Sequence, residues 1–178
     1  MSNTLFDSAP DFDQPIAVLK HCHDKIRKQL LTMQKLPGHL PEFGADIDAK
    51  QGATAILRYF DEAAPKHHAD EEQDLLPMLQ NTAVDDDAKR LNALMPEIML
   101  EHQQMEALWQ SLALQLKQVA SGDSSALSAD EVGKFVALYT SHMEKEETNI
   151  APMAKRLFSP AQMAELGLAM RRRRGIDQ

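Results

Sequence analysis

Two stretches of this chain nearly repeat each other. Lys66–Met78 reads KHHADEEQDLLPM and Ser141–Met153 reads SHMEKEETNIAPM. Each carries a histidine, a glutamate pair beginning four residues later, and a Pro-Met pair. His67, Glu71, Glu72 and Pro77 match His142, Glu146, Glu147 and Pro152 at one constant offset of 75 (142−67, 146−71, 147−72, 152−77). Residues four apart on a helix share a face about one turn apart. Each copy therefore aims an imidazole and a carboxylate at the same place. That mixed pair suits iron, zinc or manganese better than calcium, which takes oxygen donors alone. One HxxxE is common by chance, whereas two with matching flanks read as a duplicated metal half-site.

The elements that position these residues read as helices. Helix one is expected from about Pro15 to Lys35, with Pro15 in a first-turn position. Its seam is Ile16, Leu19, His23, Ile26, Leu30 and Met33, the three-four spacing of a bundle helix. LPGHLPEFGAD, with two prolines and two glycines, is expected to be a loop. A second helix is expected over about Asp48–Asn81, with Ala53, Ile56, Phe60, Ala64, His67, Glu71, Leu75 and Met78 on its seam. Pro65 should kink it and Pro77 should bend it near its end. A third follows over about Asp86–Ala120, its stripe from Leu91 to Val119 interrupted by His102. Ser128 and Glu131 form a capping-box pattern before a fourth helix reaching about Phe158 through His142 and Glu146. Ser159 to Gln162 should cap a short fifth helix ending near Arg173.

A lone histidine on such a seam is ordinarily a hydrogen-bonded core residue. Here each of four seams has one: His23, His67, His102 and His142. With Glu71 and Glu146 they make a set of four imidazoles and two carboxylates, which buried together need partners that metal supplies. That count suits two ions, each with two nitrogens and a share of two bridging carboxylates. Glu72 and Glu147 lie about 100° round the helix from the ligand glutamates, and are read as exposed or supporting groups whose removal loses little metal. His68 and His21 fall off their seams and are read as solvent-facing, His39 as a loop residue. Glu106 is read as a surface residue rather than a further carboxylate ligand, Tyr139 as core, with a hydrogen bond to something bound at the metals as its alternative, and Cys22 as a half-buried inert thiol. The basic run Arg171–Arg174 is read as facing a helix C-terminus.

Composition narrows the classes further. With 178 residues the chain is long enough for one well-buried domain. Glycine is scarce and aromatics make up 5%, which favours an all-α protein. A formal net charge of −8 argues against a sequence-independent grip on nucleic acid. No apolar run approaches a membrane span, the N-terminus lacks a signal-peptide pattern, and a single cysteine excludes an internal disulfide. A cytoplasmic location is expected. Three regions follow: an acidic, mobile or loosely packed arm over 1–14, a bundle over 15–158, and a short helix with a basic end over 159–178.

The segments HDKIRKQL from His23, HHADEEQDLLP, EHQQME and HMEKEETNIAP resemble the hemerythrin-like, HHE cation-binding family over roughly residues 15–158. The resemblance implies an antiparallel up-down-up-down four-helix bundle around two iron ions, a non-haem di-iron centre with an oxo or hydroxo bridge. Manganese and zinc are the alternative metals. It implies His23, His67, His102 and His142 as terminal ligands and Glu71 and Glu146 as bridges. The chain departs from the oxygen carriers of that family, which have a fifth histidine one turn from the third-helix ligand; here Ile98 and Glu106 flank His102. The expected function is a site that binds or reacts with a small ligand (oxygen, nitric oxide or peroxide) or handles iron under stress. The alternatives are an iron- or redox-sensing module acting on a protein partner, and a metal that only staples the fold. A homo-oligomer is left open.

Overall fold

A computed structural model describes residues 11–176. Five helices account for nearly all of it, with no strand among the described residues. We label them α1 (Pro15–Phe43), α2 (47–82), α3 (Asp85–Ser121), α4 (129–157) and α5 (Pro160–Arg173). Helix α1 packs on α2, α2 on α3, α3 on α4 and α4 back on α1, and α5 lies against α1 and α2. Two apolar clusters fill the interior. One, around Ile26, Met33, Ile56, Leu112 and Phe135, lies towards one end. The other, around Leu19, Leu79, Ile98 and Ile150, lies towards the opposite end. No helix is long and apolar enough to cross a membrane among the described residues.

Helix α1 runs eight residues beyond the expected end at Lys35 (43−35), through the segment expected to be a loop. The reason is hydrophobic. Leu36 and Leu40 continue the stripe from Met33 and are buried, so melting this stretch would expose both. Pro37, half-buried, and Pro41, exposed, lie off that buried stripe. His39, expected in a loop, sits in this helix and meets Asp46, the N-cap of α2, at 3.0 Å. The helix ends at Gly44, whose φ of 68° suits glycine.

The expected kinks in α2 are wider turns instead. Tyr59–Ala63 and Glu71–Leu75 are π-turns, and α4 has a third at Glu146–Ile150. In each, a backbone N–H reaches back five residues: Ala64 to Tyr59, Leu76 to Glu71, and Ala151 to Glu146. Pro65, Pro77 and Pro152 each follow six residues after the accepting carbonyl, so widening the turn makes room for the ring. Proline alone does not decide it, because Pro37, Pro41 and Pro96 sit in regular helix. The seam supplies the second cause. Residues 56, 60 and 64, then 67, 71 and 75, then 142, 146 and 150 advance by two successive fours. In a regular helix that would turn the last residue about 80° off the seam. The wide turn keeps all three on it. Helix α3, with clean four-three spacing, has no π-turn.

Residues 1–10 of the expected arm lie outside the described residues, as does the chain end beyond 176. The remainder of that arm is packed. Asp11–Gln14 forms a turn, and Phe12 lies beneath Arg171 and Arg174 with guanidinium carbons 5.9 and 5.5 Å from the ring centre. Gly167 of α5 permits this approach, since a Cβ there would collide with the Phe12 carbonyl. The capping box of α5 forms as expected. That of α4 forms by half: Ser128 accepts from the Glu131 N–H, but the Glu131 carboxylate goes to Ser111 and Gln115 of α3.

Because the widened turn orients Glu146, Pro152→Ala should let the turn relax and swing the carboxylate away. The expected outcome is metal affinity lowered by about tenfold or more with unchanged helical circular dichroism. Parent-like metal retention would show that proline is dispensable to the turn.

Candidate metal centre

His23 of α1, His67 and Glu71 of α2, His102 of α3, and His142 and Glu146 of α4 converge between the two apolar clusters. All six are buried. Their donor atoms form two overlapping groups: His23, His67, Glu71 and Glu146, and then Glu71, His102, His142 and Glu146. Within each, the donors lie within 4.8 Å of one another. Both carboxylates belong to both groups. Glu71 turns Oε1 towards His67 Nε2 (3.1 Å) and Oε2 towards His102 Nε2 (3.4 Å). Glu146 turns Oε2 towards His23 Nε2 (3.2 Å) and Oε1 towards His142 Nε2 (3.3 Å). Each of the six sequence-predicted residues is therefore at this place.

The electrostatics show how poorly protons alone satisfy such a cluster. Burial and the adjacent Glu146 raise the Glu71 carboxyl well above its ordinary range. Burial pushes Glu146 the same way, but His142 and His23 overcome it and hold that carboxyl well below. Burial works against charge on His23 and His142, yet Glu146 and Glu71 raise both. His67 is held well below its ordinary value by burial and by His23. Even so, His23 Nε2, Glu71 Oε2 and both Glu146 oxygens are buried with no hydrogen-bond partner among the described residues. Orphaned buried acceptors are costly. A pair of metal ions fits this donor set and would satisfy them together.

Behind the imidazoles stands a layer that sequence spacing did not resolve. Glu147 meets His23 Nδ1 at 2.9 Å and is held by both oxygens to Arg27. Glu72 meets His102 Nδ1 at 2.6 Å. Glu101 meets His142 Nδ1 at 2.9 Å and is bound by Lys145 at 2.7 Å. With Nε2 facing the centre, each Nδ1–H donates to its carboxylate, fixing the tautomer and ring orientation. The 100° offset of Glu72 and Glu147 places each against a histidine of a neighbouring helix, so of the two readings, exposed or supporting, the geometry shows the supporting one. Glu101 was missed. Its only sequence signal is its position immediately before His102.

His68 also departs from expectation. It stacks on His102 with ring centres 4.1 Å apart, and the buried Tyr139 hydroxyl lies 3.4 Å from its Nε2. Burial, then His102 and His142, keep His68 neutral, while burial raises the Tyr139 hydroxyl, so this contact joins two uncharged groups. Tyr139 packs among Phe60 and Phe135 as core. Glu106 is exposed and Ile98 lies in the apolar cluster. On the other side, a cleft of about 570 Å³ between α1 and α4 reaches His23, Glu71 and Glu146 past Ile16, Leu19 and Ile150, with Lys20 and Lys155 at its walls.

The hemerythrin HHE cation-binding domain matches residues 14–154. The chain belongs to that family. A further relative is an uncharacterized protein of Haemophilus influenzae, 27% identical over 167 residues and aligned over 94% of each chain. Membership gives the duplicated half-site its context, since the family binds metal cations, typically iron. In this hemerythrin-like chain both halves of the repeat contribute two imidazoles and one carboxylate.

Substitutions should separate the layers. Glu71→Ala and Glu146→Ala are expected to lose most bound metal, because each carboxylate faces both groups. Glu72→Ala and Glu147→Ala should weaken metal binding about 10- to 100-fold, and Glu106→Ala should leave it unchanged. Metal content after dialysis and chelator competition measure all three classes. Equal retention in the Glu71 and Glu106 variants would refute the arrangement.

Proposed function

We propose that this protein is a non-haem di-iron protein whose bundle, residues 15–158, runs up-down-up-down. His23 and His67 would hold one iron and His102 and His142 the other, with Glu71 and Glu146 shared. The observation that carries this reading is the overlap of two four-donor groups through two carboxylates, combined with buried donor atoms that lack partners. When bound, such a pair supplies one-electron redox equivalents and coordination positions for a small ligand. The residues here supply the rest. Two nitrogens and two oxygens per position would leave room for an exogenous ligand on an ion held there, and Ile98, in the apolar cluster, and the exposed Glu106 add no donor. The cleft between α1 and α4 offers access past apolar walls. Tyr139 holds a proton on its hydroxyl against His68 Nε2, beside His102. This supports binding of, or reaction with, oxygen, nitric oxide or peroxide, including a role in stress, over reversible oxygen carriage. We place that activity in the cytoplasm, with a small diatomic as partner and without nucleic acid or membrane.

A second reading, an iron- or redox-sensing module acting on a protein partner or a second copy, has one observation of its own. Asp70, fully buried beside Glu71, is bound by Arg173 and Arg174 at the end of α5. A change at Glu71 is thus one residue from the anchor of the C-terminal helix.

Purified protein is expected to carry about two irons per chain, the count that two two-histidine positions require. Mixed anaerobically and reduced, it should bind nitric oxide or be oxidised rapidly by air. Stopped-flow spectra would test this. An oxygen-dependent spectrum that reverses under vacuum would instead establish carriage, and one zinc per chain without affinity for iron would refute the di-iron reading.

A further inference from the structure

The duplication that builds the centre is broken at one place. His23 and His102 correspond at an offset of 79 (102−23), and the same offset matches Glu101 with Cys22 (101−22). Glu101 is the carboxylate behind His142 Nδ1. In the other half, His67 Nδ1 is buried and has no hydrogen-bond partner among the described residues. Lys145, which holds Glu101, matches Asp70 at the offset of 75 (145−70), but Asp70 is engaged through both oxygens by Arg173 and Arg174. One position thus has both imidazoles backed by carboxylates, Glu72 for His102 and Glu101 for His142. The other has only Glu147, for His23.

Access differs in the same direction. Of the four imidazoles, that of His23 lines the 570 Å³ cleft, while those of His67, His102 and His142 do not. The less supported position is also the one with an imidazole bordering the cleft. We infer that the two metal positions are functionally unequal: the His102/His142 position retains its ion, while the His23/His67 position is exchangeable and loads or releases a divalent first-row metal through the α1–α4 cleft. This rests on the two-metal reading of the site and adds to it a division of labour. Losing a supporting carboxylate typically costs 10- to 100-fold in metal affinity, so the positions should differ by about tenfold or more. Glu101 acts as a positioning residue, and Cys22 marks where its counterpart is missing.

Anaerobic titration of metal-free protein with Fe(II), and separately with Mn(II), against a competing chelator reads the affinities directly. Two classes of binding are expected, one ion each, differing by about tenfold or more, with a mild chelator producing a one-metal form. His67→Ala should keep the tighter class and lose the weaker; His142→Ala should lose the tighter. Glu101→Cys should bring the two affinities together by weakening the tight position, and Cys22→Glu should bring them together by strengthening the weak one. Thermal melts of each metal-free variant identify any that fails to fold, and the Glu101 and Cys22 substitutions act in opposite directions, so either alone decides. Two ions bound with equal affinity overturn this inference and leave the two-metal reading intact, as does a His142→Ala protein that keeps the tighter class. Fewer than two ions at saturation overturns both.

Discussion

Two carboxylates and four imidazoles packed together out of water are the constraint that organises this protein. An isolated buried charge costs several kcal/mol even after relaxation, and here all six side chains are buried between the two apolar clusters. Partial pairing among the six groups helps: Glu146 stays ionised because His142 and His23 surround it. It does not suffice, because four carboxylate and imidazole atoms facing the centre remain without hydrogen-bond partners among the described residues. Cations placed between the groups would turn that cost into binding energy. Metal that binds only the folded chain then adds to its stability by linkage.

The helices are shaped around that demand. A regular helix could not carry His67, Glu71 and Leu75, or His142, Glu146 and Ile150, on one line, because the steps of four drift off the seam. The two π-turns at Glu71 and Glu146 absorb the drift where the carboxylates sit, and Pro77 and Pro152 favour the wide form. Local backbone irregularity is thus coupled to the site rather than incidental to it, as is common for π-bulges. The outer carboxylates continue the logic across helices. Glu72 from one half supports His102 from the other, and Glu147 returns the arrangement to His23. The halves of the repeat are locked together by the same contacts that orient their histidines.

Asymmetry enters where the repeat fails. Cys22 in place of a glutamate leaves His67 without support, and the freed neighbourhood is used differently: Asp70 receives two arginines from α5, and Tyr59 donates to the Cys22 carbonyl. The basic run read as facing a helix end is therefore partly an inward anchor. The run also stands at a helix C-terminus as expected: Arg171, Arg172 and Arg173 occupy the last turn of α5, and Arg174 caps it and donates to the Met170 carbonyl.

Some of this was legible in the chain without coordinates, for a physical reason. Helical periodicity is local, so four amphipathic stripes each interrupted by one histidine announce a helical protein and its inward faces. Duplication supplies two correlated copies of a weak motif, which is why His23, His67, Glu71, His102, His142 and Glu146 could be named together. The two successive steps of four were also present in the sequence, each with a proline nearby, and are the signal by which the π-turns could have been read. What the chain could not disclose depends on the phase of one helix against another. Glu101, Glu72, Glu147 and His68 lie off their own seams, and an off-seam residue faces solvent or a neighbouring helix according to packing. The length of α1 was decided the same way: its prolines and glycine argue for a loop, and only the groove that buries Leu36 and Leu40 keeps it helical.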